Sequence, residues 1–198
     1  NNAAGIAANI SGAVTIQSCY NRGIITGGGW HAGGIAAYLS SSYATIKNCY
    51  TTGSVSGSDS NPVVGKKGSG TISNCYYLDT LGKDSNATPK TSDELKALAS
   101  KLGEAFITAP AGINDGYPIF PWQIPTYAVT FTVDPADAQV TIDGQTGTHS
   151  GSNWTFALPD GEYKYTVSAF GYGEQSGKIT VKGGAVDETV KLTAAEKR

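Results

Sequence analysis

The stretch TIKNCYTTGSVSG, residues 45–57, decides the fold because it recurs: residues 15–27 read TIQSCYNRGIITG and residues 71–77 read TISNCYY. A second element travels with it, AGIAA at residues 4–8 and GGIAA at residues 33–37, 29 residues apart, with a degenerate third copy in VVGKKGSG at residues 63–70. Cys19 and Cys49 are 30 residues apart, and Cys49 and Cys75 are 26 apart. Each unit therefore holds three short strands: a Gly-Ile strand, a Thr-Ile-x-Asn-Cys-Tyr strand and a Gly-x-Val/Ile-x-Gly strand. That is too little to bury an apolar face alone, and a period of this length indicates a β-solenoid. Stacking at about 4.8 Å makes parallel sheets in which equivalent residues form ladders.

Ile16, Ile46 and Ile72 form one expected ladder, and Cys19, Cys49 and Cys75 a second. Side chains on a straight strand alternate, so an Ile and a Cys three residues apart cannot both point inward unless a corner intervenes. Ser18, Asn48 and Asn74 are the expected corners, since short polar residues tolerate left-handed backbone and bond along a ladder. The cysteines are read as buried free thiols acting as small hydrophobes. A bridge between adjacent rungs is compatible with the Cα spacing and stays open. Zinc is not expected, because no C-x2-4-C pair occurs.

Composition agrees with a strand-rich chain: 198 residues, 26 Gly, 11 Tyr and 15% charged residues. A formal net charge of −2, with scattered Lys and Arg, argues against nucleic acid as a partner. No run of about 18 apolar residues is present, so no membrane insertion is expected. The absence of Met and the start inside a repeat lead us to expect a fragment of a longer chain.

The Gly-Gly-Ile-Ala, Asn-Cys-Tyr and Gly-x-Val-x-Gly elements, recurring in that order over residues 1 to about 80, resemble the GLUG repeat of bacterial cell-surface proteins, including some IgA-cleaving peptidases. The resemblance implies a secreted or surface-anchored parent. It does not imply a peptidase, because such repeats accompany catalytic domains without being catalytic.

Residues 81–125 are expected to form a helix-containing cap and connector. Thr91 and Glu94 make a capping box, Leu95, Leu98, Ala99 and Leu102 form an apolar stripe, and Gly103 ends the run. This predicts a single helix lying over the open end of the solenoid. The following INDGYPIFPWQIP resembles the ending of GLUG arrays. Its Tyr117, Phe120 and Trp122 are read as packing anchors, with a sugar-stacking platform as the alternative.

From residue 126 the chain alternates apolar and polar residues in six segments: YAVTFTV, AQVTID, NWTFAL, EYKYTVSAF, GKITV and ETVKL. This predicts a small antiparallel β-sandwich, with Tyr163, Tyr165 and Val167 on its core face and Trp154 and Phe156 opposite. Gly161, Tyr163, Val167 and Gly171-Tyr172 resemble the PEGA domain of bacterial surface proteins and, more distantly, carboxypeptidase regulatory-like modules. That resemblance implies a spacer or binding module.

No catalytic residues, metal site or cofactor are expected. Up to residue 80 the chain has no Glu and only Asp59 and Asp79, too few for paired carboxylates. His31 and His149 are read as solvated loop residues without partners. The expectation is thus a mainly β chain: solenoid repeats over residues 1–80, the cap over 81–125 and the sandwich over 126–198. Its function is expected to be non-enzymatic, as an adhesion or display segment at the bacterial cell surface or outside the cell. Its expected partner is a host glycan or extracellular protein, and its expected state a monomer. An accessory region of a surface hydrolase or peptidase is the alternative.

Overall fold

The computed structural model describes residues 2–195; Asn1 and residues 196–198, the outer ends of the first and last predicted domains, lie outside the described residues. Strands dominate, and the chain divides into two compact units, Asn1–Gln123 and Ile124–Arg198.

Unit 1 is built in tiers. The first comprises β1 (Ala3–Ala4), β2 (Ala7–Ile10), β3 (Thr15–Asn21) and β4 (Ile25–Thr26). The second comprises β5 (His31–Gly33), β6 (Ala36–Leu39), β7 (Thr45–Thr51) and β8 (Val55–Ser56). The third comprises β9 (Asp59–Asn61), β10 (Val64–Lys67) and β11 (Thr71–Leu78). A full tier thus has four strands where three were expected, because the chain bends at Gly34-Ile35 and splits the Gly-Ile element. Every pairing between tiers is parallel. Ile16 pairs with Ile46 and Ile46 with Ile72, while Cys19 pairs with Cys49 and Cys49 with Cys75. Ser18, Asn48 and Asn74 have φ of 52°, 56° and 50°, which turns the strand so that Ile and Cys share one core. Asn74 Nδ2 donates to Asn48 Oδ1 at 2.7 Å along that corner.

The paired glycines have a packing cause. A Cβ on Gly34 would lie 2.3 Å from the Pro62 carbonyl oxygen, the acceptor of Gly34 N–H at 3.0 Å. One tier earlier, a Cβ on Gly5 would lie 2.3 Å from the Gly34 oxygen. Tiers approach this closely only without side chains. The third tier has Pro62 at this place, so it has no N–H to offer upward. Its neighbours end differently. In the first tier the Ile6 and Ala7 N–H groups donate to Ile35 O at 3.2 and 3.0 Å, and in the second Ile35 and Ala36 donate to Val63 O at 2.9 and 3.1 Å. In the third, Val63 and Val64 donate to Asp84 Oδ2 at 3.0 and 3.1 Å. A buried carboxylate thus stands where the carbonyl of a fourth tier would be, satisfying donors that would otherwise be buried unpaired.

The connector covers the stack in two ways. Strand β12 (Thr88–Lys90) pairs in parallel with β11 and takes its open edge. The capping box forms, with Glu94 N–H donating to Thr91 Oγ1 and Thr91 N–H to Glu94 Oε2. The single predicted helix is, however, two: α1 (Ser92–Lys96) and α2 (Ala99–Leu102). At Ala97 and Leu98, ψ rises to about zero, and Leu98 N–H bonds back to Leu95 O in a tightened turn. The break keeps Leu95, Leu98 and Leu102 in one apolar cluster with Tyr50, Phe106 and Tyr117. The stripe therefore lies on the tyrosine side of the tiers, not over the open end as expected, because the strand edge is already taken by β12.

Among the described residues unit 2 has seven strands where six were expected: β13 (Tyr127–Asp134), β14 (Gln139–Ile142), β15 (Thr148–Ser150), β16 (Asn153–Leu158), β17 (Gly161–Ser168), β18 (Gln175–Val181) and β19 (Val186–Lys191). The added strand β15 is a fully exposed edge, which carries no apolar alternation to announce it. One sheet runs β15-β16-β13-β19 and the other β14-β17-β18. Antiparallel pairing prevails, but β13 and β19 are parallel, so the arrangement is mixed and not wholly antiparallel. Both sheets supply one core, including Val129, Phe131, Phe156, Tyr165, Val167 and Ile179. Trp154 and Tyr163 pack at its margin, each tying its polar end to a carbonyl, Ala138 O and Pro159 O, both at 2.9 Å.

Candidate functional site

The Cys-Tyr step of the repeat puts the cysteines on the core side of the β3-β7-β11 sheet and Tyr20, Tyr50 and Tyr76 on the other. Tyr20 and Tyr50 stack at 5.1 Å and 4°. Tyr50 is fully buried, and its hydroxyl donates to Pro118 O while accepting from Asn114 Nδ2 at 2.9 Å. Burial pushes the Tyr50 phenol above its ordinary 10.0. Asn114 Nδ2 also reaches Tyr117 O and Pro118 O at 3.0 and 3.1 Å. The Asn-Asp-Gly-Tyr-Pro stretch is thereby pinned against the wall, with Asn114 and Asp115 at positive φ.

The three predicted aromatics separate. Tyr117 is buried, packs in the Leu95–Leu98–Leu102 cluster and faces Ser92 Oγ at 3.1 Å, out of reach of any ligand. Phe120 is half-buried and stacks on Phe106 at 4.8 Å. Trp122 continues that stack, 5.7 Å from Phe120 at 14°, and is 78% exposed. Gln123 holds the end of the stack, accepting Phe120 N–H at 2.9 Å and donating to Tyr20 Oη at 2.6 Å. The result is an ordered run of rings ending in an exposed indole, able to stack on the apolar face of a flat ligand. Sequence reasoning missed Tyr20 and Phe106, although the Tyr after each Cys signalled the wall.

The Ile and Cys ladders belong to the core. All three cysteines are free; Cys49 and Cys75 are buried and Cys19 is half-exposed, because β3 is the edge strand of its sheet. Uniform burial of the thiols was expected, and the edge position of β3 is the reason it fails. Each thiol donates to the carbonyl two residues earlier, Gln17, Lys47 and Ser73. Interaction with the neighbouring Cys49 thiol lowers the Cys19 thiol from 9.0 to about 7, against the opposing effect of burial. The neighbouring Cys19 and Cys75 thiols, followed by burial, push Cys49 up, and Cys75 is lowered, chiefly by Cys49.

Both histidines lie on strands and not in loops, and only His31 is largely covered, whereas His149, on the exposed β15, is solvated as expected. His31 lies on β5 with Nδ1 3.1 Å from Asp59 Oδ2, its register partner on β9. His149 lies on β15, stacked on Trp154 at 4.7 Å and 15°. In the first case the repeat step carries Asp59 beside His31, a relation readable once the period is applied to polar positions too. Among the described residues no group of three or more His, Cys, Asp or Glu converges in a way that could hold a metal, and no helix is long and apolar enough to cross a membrane.

The class defined by the second unit, two facing sheets of short strands around one aromatic-rich core, has a family counterpart. Residues 126–198 match the PEGA domain. The turn and core residues that carry the likeness have definite places: Gly171 at φ 81° between β17 and β18, and Val167 fully buried in the core. No curated protein sequence matches the chain.

Proposed function

We propose that this chain is a non-catalytic adhesion and display segment of a bacterial cell-surface or secreted protein, in which a GLUG-like β-solenoid end is followed by a PEGA β-sandwich. The observation that carries the reading is the stacked, in-register tiers of unit 1, a rigid construction whose flank ends in the exposed Trp122. Ladders of this kind hold ligand-facing side chains on fixed backbone, the economical arrangement for contact without chemistry. The PEGA match supports the spacer or binding role of the second unit. The expected partner is a host glycan or extracellular protein. Binding of the whole chain to arrays of glycans and matrix proteins tests this: saturable binding supports adhesion, and no binding by folded protein removes it. The resemblance of the repeats to those accompanying peptidases favours a second reading, an accessory region of a surface hydrolase or peptidase.

A further inference from the structure

A group of side chains on unit 1 serves neither the core nor the tyrosine wall. Trp30 is 70% exposed, and its carbonyl accepts Asp59 N–H at 3.1 Å, which sets it beside Ser58 and the start of β9. The His31 ring lies 6.5 Å from the Trp30 ring and 5.3 Å from that of Tyr38, and Tyr38 is the register partner of Lys66. Next to these rings Ser58, Asp59, Ser60, Asn61, Lys66 and Lys67 line a shallow groove of about 520 Å³, so the Asp59 carboxylate that faces His31 stands in the groove itself. Asn61 Nδ2 donates to Gly65 O, which fixes the orientation of its amide.

The charges are specific. Asp59 faces His31, and among the described residues neither Lys66 nor Lys67 has an acidic partner; both are exposed. The groove therefore offers two lysines without an acidic partner against one carboxylate, Asp59, which faces His31, together with hydroxyl and amide groups that both donate and accept; the exposed Trp30 adjoins it through the backbone bond to Asp59. Sugar hydroxyls need the mixed donors and acceptors, a sugar's C–H face suits the indole, and the free ammonium groups call for an anion. An open groove of this size fits one residue of a chain better than an enclosed small molecule.

We propose that this groove is the ligand subsite of the adhesive function and takes an acidic saccharide, a unit carrying a carboxylate or sulfate. The proposal rests on the adhesion reading above and deepens it. A phosphodiester carries similar charge but offers few hydroxyls to the groove's mixed donors and acceptors, and the oligothymidylate arm of the test distinguishes the two.

The test is calorimetric and NMR titration of the full chain with trigalacturonate, a heparin-derived tetrasaccharide, neutral cellotetraose and an eight-residue oligothymidylate. The two acidic saccharides distinguish carboxylate from sulfate. The expected result is saturable binding of at least one, with shifts confined to residues 30–38 and 58–67, and affinity falling as salt rises. Lys66→Ala/Lys67→Ala and Trp30→Ala each should weaken binding by about tenfold or more; these side chains are exposed, so the fold is retained. If acidic saccharides bind but only Trp122→Ala weakens them, the subsite is wrong and adhesion stands. If no saccharide binds while matrix proteins do, the subsite is again wrong and adhesion stands. Equal or tighter binding of oligothymidylate overturns the saccharide assignment. If neither array nor titration shows binding, both readings fall.

Discussion

The two units solve the same problem, burying one face of short strands, by opposite means. In unit 2 two sheets close around one core, so the β13–β19 segment supplies both sides of its own interior. In unit 1 a tier finds its partner only in the next tier. The same repeat position shows this directly: Ile35, in the middle tier, is fully buried, while Ile6, in the outer one, is 48% exposed. Burial in unit 1 is therefore a property of position in the stack, and the stack needs terminating devices that a closed pair of sheets does not. Asp84 and β12 are those devices at one end, and the α1–α2 pair covers the tyrosine flank.

This contrast can be broken most severely by removing the devices together. A chain ending at residue 83 should lose the cover over Tyr20, Tyr50 and Tyr76 and the partner of β11, and aggregate on light scattering. A soluble, monomeric product would contradict the capping role. Leu95→Ala should cost about 2–5 kcal/mol in denaturant unfolding of unit 1, whereas Phe156→Ala should cost about 3–5 kcal/mol and register only in unit 2. A single transition shifted equally by both would count against independent cores. Tyr50→Phe leaves the Asn114 amide with one partner fewer inside the wall and should cost about 1–3 kcal/mol, measured the same way.

The smallest effect concerns Cys19. With its thiol lowered to about 7, its alkylation by iodoacetamide should be half-maximal near pH 7, while Cys49 and Cys75, buried, react only after denaturation. The sign follows from the thiolate being the favoured form: its contribution to stability is present at high pH and is lost as pH falls through about 7. Native labelling of all three thiols, or of none across this range, would refute the edge position of β3.

The repeat period made the ladders legible before any coordinates, because in-register parallel stacking converts sequence spacing directly into neighbours. The corners at Ser18, Asn48 and Asn74 were equally legible, since an Ile-x-x-Cys step cannot be inward twice on a straight strand. Other features were hidden for physical reasons. The helix break at Ala97-Leu98 leaves the apolar spacing unchanged, so periodicity does not report it. Asp84 lies between repeat and helix in a polar stretch, and only the missing fourth-tier carbonyl explains its burial. The ring stack from Tyr20 through Phe106 to Trp122 joins residues about a hundred positions apart. The His31–Asp59 pair is legible only when the period is applied to polar positions as well.

The central claim, that unit 1 is held tier by tier while unit 2 closes on itself, is tested most directly by residue-resolved hydrogen exchange on the intact chain and its Asp84→Ala variant. The account predicts that protection falls first at Val63 and Val64, then at their pairing partners in β6, and is unchanged throughout β13–β19. Loss of protection spread evenly over both units, or no loss at Val63 and Val64, would contradict it.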